Sequence, residues 1–228
     1  MNTPETTVAP LTVVVIAKEC LPGKVKTRLT PAMTPEDAAR VAAGSLDDTL
    51  RTVAALPVAR RVLFFDGSVV PDAAAGFDVL HQPGGGLDER LGHLFDAMTG
   101  PTLLVGMDTP QLSADDLAPV LHDPERDAWF GPAEDGGFWA LYLREPDGTH
   151  LRGVPMSRDD TGAVQRARLV DAGLDVGTLA TLLDVDTVPD ARRVAELVPD
   201  SAFAAALAAS LTSPLTTATT PLTSGGTR

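Results

Sequence analysis

All three lysines of the 228-residue chain, Lys18, Lys24 and Lys26, fall in one stretch, AKECLPGKVKTRLTP (residues 17–31), which also holds Arg28. Every other cationic residue is an arginine, scattered along the sequence. Four cations against the single anion Glu19 give this stretch a local charge of +3 on a chain of net charge −13. An ammonium offers phosphate a compact point charge, and a guanidinium offers a bidentate fork. Lys24, Lys26 and Arg28 alternate, so an extended loop projects them to one side, a geometry that fits a di- or triphosphate. The plainer reading is a solvated basic loop. The gathering of every lysine directly after a strand argues for a site instead. The spacing is not that of a Walker loop, GxxxxGK[ST].

Three other loops carry carboxylates. In LLVGMDTPQL (residues 103–112) Asp108 follows a buried strand that Pro110 cannot continue. A carboxylate at such an exit is a natural Mg²⁺ ligand shared with substrate phosphates; the alternative is an Asx turn. In FGPAEDGGFWALYL (residues 130–143) Glu134 and Asp135 sit at a turn, and Gly136 and Gly137 permit positive φ or close ligand approach. Asp-Gly is also the common hairpin signal. In LLDVDTVPDARRV (residues 182–194) Asp184 and Asp186 alternate and share one face of an extended segment. Asp186 is the better ligand candidate, Asp184 reads as structural, and Asp190 falls in a first helical turn, as a cap or dipole partner.

The remaining signals are weaker. QPGGGLDERLGHL (residues 82–94) is a glycine-rich helix entry of the kind that takes anions, without strict GxGxxG spacing. Glu89 and Arg90 read there as a surface pair. His81, His93, His122 and His150 have no metal-binding spacing. Cys20 lies in the basic loop, where its thiol pKa is expected to fall. No base stands beside it in sequence to make it a nucleophile.

The elements that hold these loops alternate in type. Residues 11–17, LTVVVIA, form a continuous apolar β-branched run, a buried central strand. Thr34 caps a long helix with Pro35, Glu36 and Asp37 in its first turn. Strands follow at residues 61–65, 77–82 and 102–106, with a helix over 87–98. Ser113 caps another helix, and DAWFGP and GFWALYL make a strand pair around AEDG. A helix near 162–172, a strand at 176–179 and helices near 189–197 and 201–209 complete the domain. This alternation predicts an α/β, three-layer αβα single domain with a mostly parallel sheet. Ligands of such sheets bind beyond the carboxyl ends of the strands, which is where the charged loops leave.

Composition bounds the partners. The length fits one α/β domain with a real core. A net charge of −13 disfavours nucleic acid and anionic membrane. The single cysteine excludes an internal disulfide. Residues 1–10 read as a flexible lead-in without signal-peptide character, and no apolar run approaches a membrane span of about 20 residues. A cytoplasmic protein, monomer or homodimer, is expected. Residues 209–228 contain ten Ser/Thr in twenty and read as a disordered tail after a domain over 11–208.

Taken in order, AKECLPGKVKTRLTP, GLDERL, VGMDTPQL, GPAEDGGFWAL and DVDTVPD resemble the motifs of a bacterial family assigned to glycosyltransferases, formerly of unknown function. That family has the GT-A nucleotide-diphospho-sugar transferase fold. The resemblance spans about residues 11–197 and extends more loosely to the guanylyltransferases of phospholactate and of the molybdenum cofactor. It implies that Lys18, Lys24, Lys26 and Arg28 hold phosphates, within a nucleotide site that includes Ala17, Gly23, Gln82, Gly106 and Met107. It makes Asp108 the main metal ligand and Asp186 a second, for Mg²⁺ or Mn²⁺. Glu134, Asp135, Gly136 and Gly137 line the acceptor side, and Lys26, Arg28 and Asp108 become the catalytic set. Two departures are Cys20, where the family usually has proline, and GGGLDER, which disturbs the usual Gly-x-Asp-Leu-Gly-Glu-Arg run. The expected activity is Mg²⁺-dependent nucleotidyl transfer from a nucleoside triphosphate to a small phosphorylated or acidic acceptor. The alternatives are glycosyl transfer from a sugar nucleotide, or nucleotide binding without catalysis. Four cations exceed what a diphosphate needs, which favours the triphosphate.

Overall fold

The first apolar run becomes β1 (Ala9–Lys18). Val13, Val14 and Val15 are fully buried. Val13 and Val15 join one core cluster and Val14 another on the opposite face, as the two-residue period of a strand requires. A run with no polar alternation therefore marks a strand covered on both faces. The computed structural model describes residues 9–30, 32–123 and 125–212. The expected lead-in and Ser/Thr-rich tail fall mainly outside the described residues. Within them, β1 starts earlier than expected, at Ala9, and the last helix runs on to Thr212.

Six more strands follow among the described residues: β2 (Val58–Asp66), β3 (Asp78–His81), β4 (Thr102–Gly106), β5 (Ala128–Pro132), β6 (Phe138–Leu143) and β7 (Val176–Thr178). They form one sheet in the order β3-β2-β1-β4-β6-β5-β7. All neighbours are parallel except β6, which runs antiparallel to both β4 and β5. The β5–β6 pair is the hairpin read from the sequence. Its second strand turns inward, and Trp139 to Leu143 are all buried.

The helices are α1 (Pro35–Ala54), α2 (Leu87–Ala97), α3 (Ala114–His122), α4 (Thr161–Asp171), α5 (Val188–Leu197) and α6 (Ala202–Thr212). Thr34 caps α1, accepting from the Asp37 amide. Ser113 with Asp116, and Thr187 with Asp190, make reciprocal capping boxes on α3 and α5, so Asp190 is a cap as expected. Leu46 and Leu50 of α1 and Leu117 of α3 pack on one sheet face. Leu91, Leu94 and Phe95 of α2 and Leu169 of α4 cover the other. No helix among the described residues is long and apolar enough to cross a membrane.

A third core lies beside the sheet. Phe203 and Leu207 of α6, Ala191 and Val194 of α5, and Ala38 and Val41 of α1 enclose Leu29 and Val185. Both enclosed side chains come from loops with charged neighbours, Arg28 before Leu29 and Asp184 and Asp186 around Val185. This small core is what fixes those charges in place.

Candidate functional site

After β1 the chain moves to β2 on one side, and β4 pairs on the other. The carboxyl ends of β1 and β4 therefore open side by side at the switch in strand order, where such sheets bind ligands. The two exits touch, since the Lys18 amide approaches Met107 Sδ at 3.5 Å. The Ser45 hydroxyl of α1 donates to the Met107 carbonyl at 2.7 Å, and the Val185 amide donates to the Asp108 carbonyl at 3.0 Å. Gln111 Nε2 adds a bond to the Leu183 carbonyl at 2.8 Å. The loop bearing Asp108 is thus held by both α1 and the 183–186 segment.

The basic loop is not extended, and this corrects the sequence expectation. Val25 is buried against Ala39 and Ala42 of α1, and Lys26 takes a left-handed conformation, φ 46° and ψ 38°. A 3-10 turn, Thr27–Leu29, follows. Left-handed backbone at a residue with a Cβ costs about 1–2 kcal/mol and turns Lys26 away from Lys24. Lys26 Nζ lies 2.5 Å from Asp108 Oδ1 and 3.7 Å from Asp186 Oδ1, with its side chain only 7% exposed. Arg28 Nη1 reaches Asp186 Oδ2 at 2.8 Å from a mostly exposed position. Burial alone would push the Lys26 ammonium down. The Asp108 carboxylate, with Asp186 and Asp184 behind it, outweighs that and holds it above the ordinary lysine value.

Lys18, Lys26, Arg28, Met107, Asp108 and Asp186 share one cleft of about 150 Å³. Ligand pockets for whole small molecules are usually about 300–1,000 Å³, so this cleft suits the phosphates of a nucleotide, not the entire molecule. Lys24 and Gly23 are exposed on the loop and stand outside its lining. Ala17 is buried in the core beneath, and Gly106 ends β4 beside Ile16. Gln82 is fully engaged: Nε2 donates to the Ala17 and Phe64 carbonyls, both at 2.9 Å, and Oε1 accepts from Arg90 at 2.8 Å. It braces the ends of β1 and β2. The expected surface pair of Glu89 with Arg90 is not formed: Glu89 meets Arg152 at 3.5 Å, while Arg90 bonds Gln82 and lies 3.5 Å from Asp66.

Asp184, read from the sequence as structural, does not line the cleft but lies within electrostatic reach of Asp108, Asp135 and Lys26. Its Oδ1 is buried without a hydrogen-bond partner. Burial, then the charges of Asp108 and Asp135, push its carboxyl up to about 7. Its alternation with Asp186 was the available signal. Among the described residues no three His, Cys, Asp or Glu side chains stand close enough to form a metal cage. Two carboxylates facing one buried cation do fit Mg²⁺, which is typically held by one or two carboxylates together with substrate phosphates. Asp108 and Asp186 are the residues that would hold it.

The second carboxylate loop lies on the Asp184 side. Asp135 Oδ1 accepts from the Gly137 amide at 2.8 Å. Gly136 has φ 88°, its carbonyl accepts from Gly162 at the start of α4 at 2.8 Å, and a Cβ there would overlap the Asp159 carbonyl. The close approach allowed by Gly136 is thus taken by the chain's own 157–162 segment. Glu134 pairs with Arg193 of α5 at 3.2 Å. Cys20 corrects another expectation. Burial, then Asp108, push its thiol up to about 11, outweighing Lys26 and Lys18.

Residues 49–158 match the family described as "Uncharacterized protein conserved in bacteria (DUF2064)". No curated protein matches the sequence. A candidate nucleotide-diphospho-sugar transferase from Desulfovibrio desulfuricans G20 has TM-score 0.77 and 26% identity, over 88% of this chain and 95% of that one. CMP:2-keto-3-deoxy-manno-octonic acid synthetase complexed with CTP has TM-score 0.53 and 14% identity, over 84% and 99%. Inositol-1-phosphate CTP transferase of T. maritima has TM-score 0.52 and 12% identity, over 85% and 96%. The last two are alike in fold alone. The chain has the fold of the nucleotide-diphospho-sugar transferases, and residues 49–158 match the sequence pattern of that bacterial family.

Proposed function

We propose that the protein is a Mg²⁺-dependent nucleotidyltransferase. A phosphate or carboxylate oxygen of a small acceptor attacks the α-phosphorus of a nucleoside triphosphate, and pyrophosphate leaves. The observation that carries this reading is the cleft that gathers Lys18, Lys26 and Arg28 against Asp108 and Asp186 at the β1/β4 switch point. Phosphoryl transfer asks a protein chiefly for positioning and charge stabilisation. Lys18 and Arg28 hold the β- and γ-phosphates, whose charge grows as the α–β bridge breaks. Asp108 and Asp186 hold the metal, which neutralises phosphate charge when bound. The Asp135–Gly137 loop forms the acceptor side, facing the phosphates across Asp184.

One observation favours a second reading, glycosyl transfer. The relative at 26% identity is a candidate nucleotide-diphospho-sugar transferase. There an acceptor attacks the sugar carbon and a nucleoside diphosphate leaves. Calorimetry with Mg²⁺ and a panel of nucleoside triphosphates and sugar nucleotides divides the two, followed by a pyrophosphate-release assay on the ligands that bind. Preferential triphosphate binding and acceptor-dependent pyrophosphate release are expected. Binding of sugar nucleotides alone would overturn nucleotidyl transfer. Nucleotide binding indifferent to Mg²⁺ and to Asp108→Asn would leave a binding module without catalysis.

A further inference from the structure

The position that a divalent ion would take between Asp108 and Asp186 already contains a cation belonging to the chain. Lys26 Nζ sits 2.5 Å from one carboxylate and 3.7 Å from the other, with 7% of its side chain exposed. The backbone adopts a left-handed conformation at Lys26 to put it there, and such strain persists where the surroundings over-determine it. Val25 on one side and Leu29 on the other are buried in separate clusters, so the loop cannot easily withdraw. No three acidic, histidine or cysteine side chains among the described residues form a preformed metal cage, so these two carboxylates need the phosphates of a nucleotide to complete a site.

We propose that Lys26 is a built-in substitute cation that keeps the metal position closed until nucleotide arrives. This deepens the nucleotidyltransferase reading and rests on it. In the free protein the ammonium neutralises Asp108 and shares Asp186 with Arg28, and a divalent ion that approaches meets a like charge at the point of coordination. Incoming phosphates enter the same cleft, lined also by Lys18 and Arg28. They offer the ammonium a new set of anions within side-chain reach, with no need to move the backbone. Lys26 transfers to the phosphates, and the two carboxylates open to the ion that the nucleotide brings. Binding is therefore ordered, nucleotide with metal and not metal alone. Two carboxylates left facing each other without a cation repel, so the site is never empty of positive charge.

The test is Mn²⁺ binding to the nucleotide-free protein, followed by the loss of the free-ion electron paramagnetic resonance signal. Wild type should bind weakly. Lys26→Met, similar in size and uncharged, should bind Mn²⁺ about tenfold tighter or more, while Lys26→Arg, still a cation, should remain as weak as wild type. Circular dichroism verifies folding. Where Met does not fold, Lys26→Gln, whose amide can still donate to Asp108, takes its place with the same expectation. A folded neutral variant that binds Mn²⁺ no tighter than wild type overturns the proposal, as does an Arg variant that binds as tightly as Met. Calorimetric titration of wild type with nucleoside triphosphate and Mn²⁺ is read separately. Its failure would remove the nucleotide reading, while a gain in the neutral variant would still establish the internal cation.

Discussion

The Val185 amide donates to the Asp108 carbonyl at 3.0 Å. That bond ties the loop after β4 to a segment 77 residues later in the chain, and Val185 itself is locked into the small third core. Asp108 and Asp186 thus belong to one braced unit, and Lys26 and Arg28 reach it from the loop whose Leu29 enters the same core. Site charge and local stability are coupled through this core, so substitutions can be chosen to separate the two.

Asp108→Asn keeps the size and removes the charge. Lys26 then keeps Asp186 at 3.7 Å as its remaining carboxylate partner. Because Asp108 is 43% exposed, the loss of stability should be near the low end for a charged hydrogen bond, about 1 kcal/mol. Nucleotide binding that depends on Mg²⁺ should disappear while the fold persists. Calorimetry with and without Mg²⁺, beside urea denaturation, checks both halves. Unchanged Mg²⁺–nucleotide affinity would remove Asp108 from the metal site.

The first loop ranks its own cations. Lys18 and Arg28 line the cleft, while Lys24 is exposed outside it. Lys18→Ala and Arg28→Ala should each weaken triphosphate binding by about 1.5–3 kcal/mol, the scale of a hydrogen bond to a charged group. Lys24→Ala should change it by less than about 0.5 kcal/mol, as for a screened surface charge. Equal losses in all three variants would mean that the loop acts as a diffuse basic patch.

How far the sequence discloses this arrangement varies from residue to residue. β1 was legible because an unbroken run of β-branched residues fits only a strand buried on both faces, and Thr34, Ser113 and Asp190 were legible because caps have local chemistry. The carboxyl-end location of Asp108 followed from the strand before it and Pro110 after it. Lys26 was not legible in its conformation, since a left-handed lysine carries no local marker such as glycine. Its geometry is imposed by Val25 and Leu29 entering two different clusters. The central placement of β6 was also hidden, because a hairpin does not encode which of its strands will pair with β4. Asp184 was visible in its alternation with Asp186. Its raised carboxyl is not visible there, because it depends on burial and on the charges of Asp108 and Asp135, which are distant in sequence.

Cys20 should be a slow thiol. A shift of its pKa to about 11, against 9.0 for an ordinary cysteine, leaves about a hundredfold less thiolate at pH 8. Alkylation by iodoacetamide should be slower by about that factor in the folded protein than in urea. The sign of the stability effect follows. The raised value means that the folded state holds a proton that the unfolded state releases, so this contribution is lost as pH rises from about 9 to about 11. Lys26 acts in the same direction, because its raised value makes its pairing stability present below the ordinary lysine range and lost above it. Cys20→Ala should therefore lose less stability between pH 8.5 and 10.5 than wild type, in urea melts at the two pH values. Equal losses, or rapid alkylation of the native protein, would contradict the buried, neutral thiol.

Two glycines with positive φ separate a conformational requirement from a steric one. Gly23, in the basic loop, has φ 71° and open space where a Cβ would project. Gly136, in the second carboxylate loop, has φ 88°, and a Cβ there would overlap the Asp159 carbonyl. Gly23→Ala meets only the left-handed backbone penalty, and should destabilise by about 1 kcal/mol. Gly136→Ala adds overpacking against backbone that cannot rotate away, worth typically about 1–3 kcal/mol beyond that penalty. Its total should reach about 2–4 kcal/mol. The displacement should also disturb the bond from Gly162 to the Gly136 carbonyl and the turn in which Asp135 accepts from Gly137. Gly136→Ala should consequently weaken acceptor use under conditions where the variant remains folded, with nucleotide affinity preserved, whereas Gly23→Ala should leave acceptor use unchanged. Urea denaturation gives the two stability losses, and acceptor-dependent turnover against nucleotide calorimetry gives the two functional ones. Comparable stability losses in both variants would mean that the Asp159 segment yields, and that the second carboxylate loop is not held rigidly against α4.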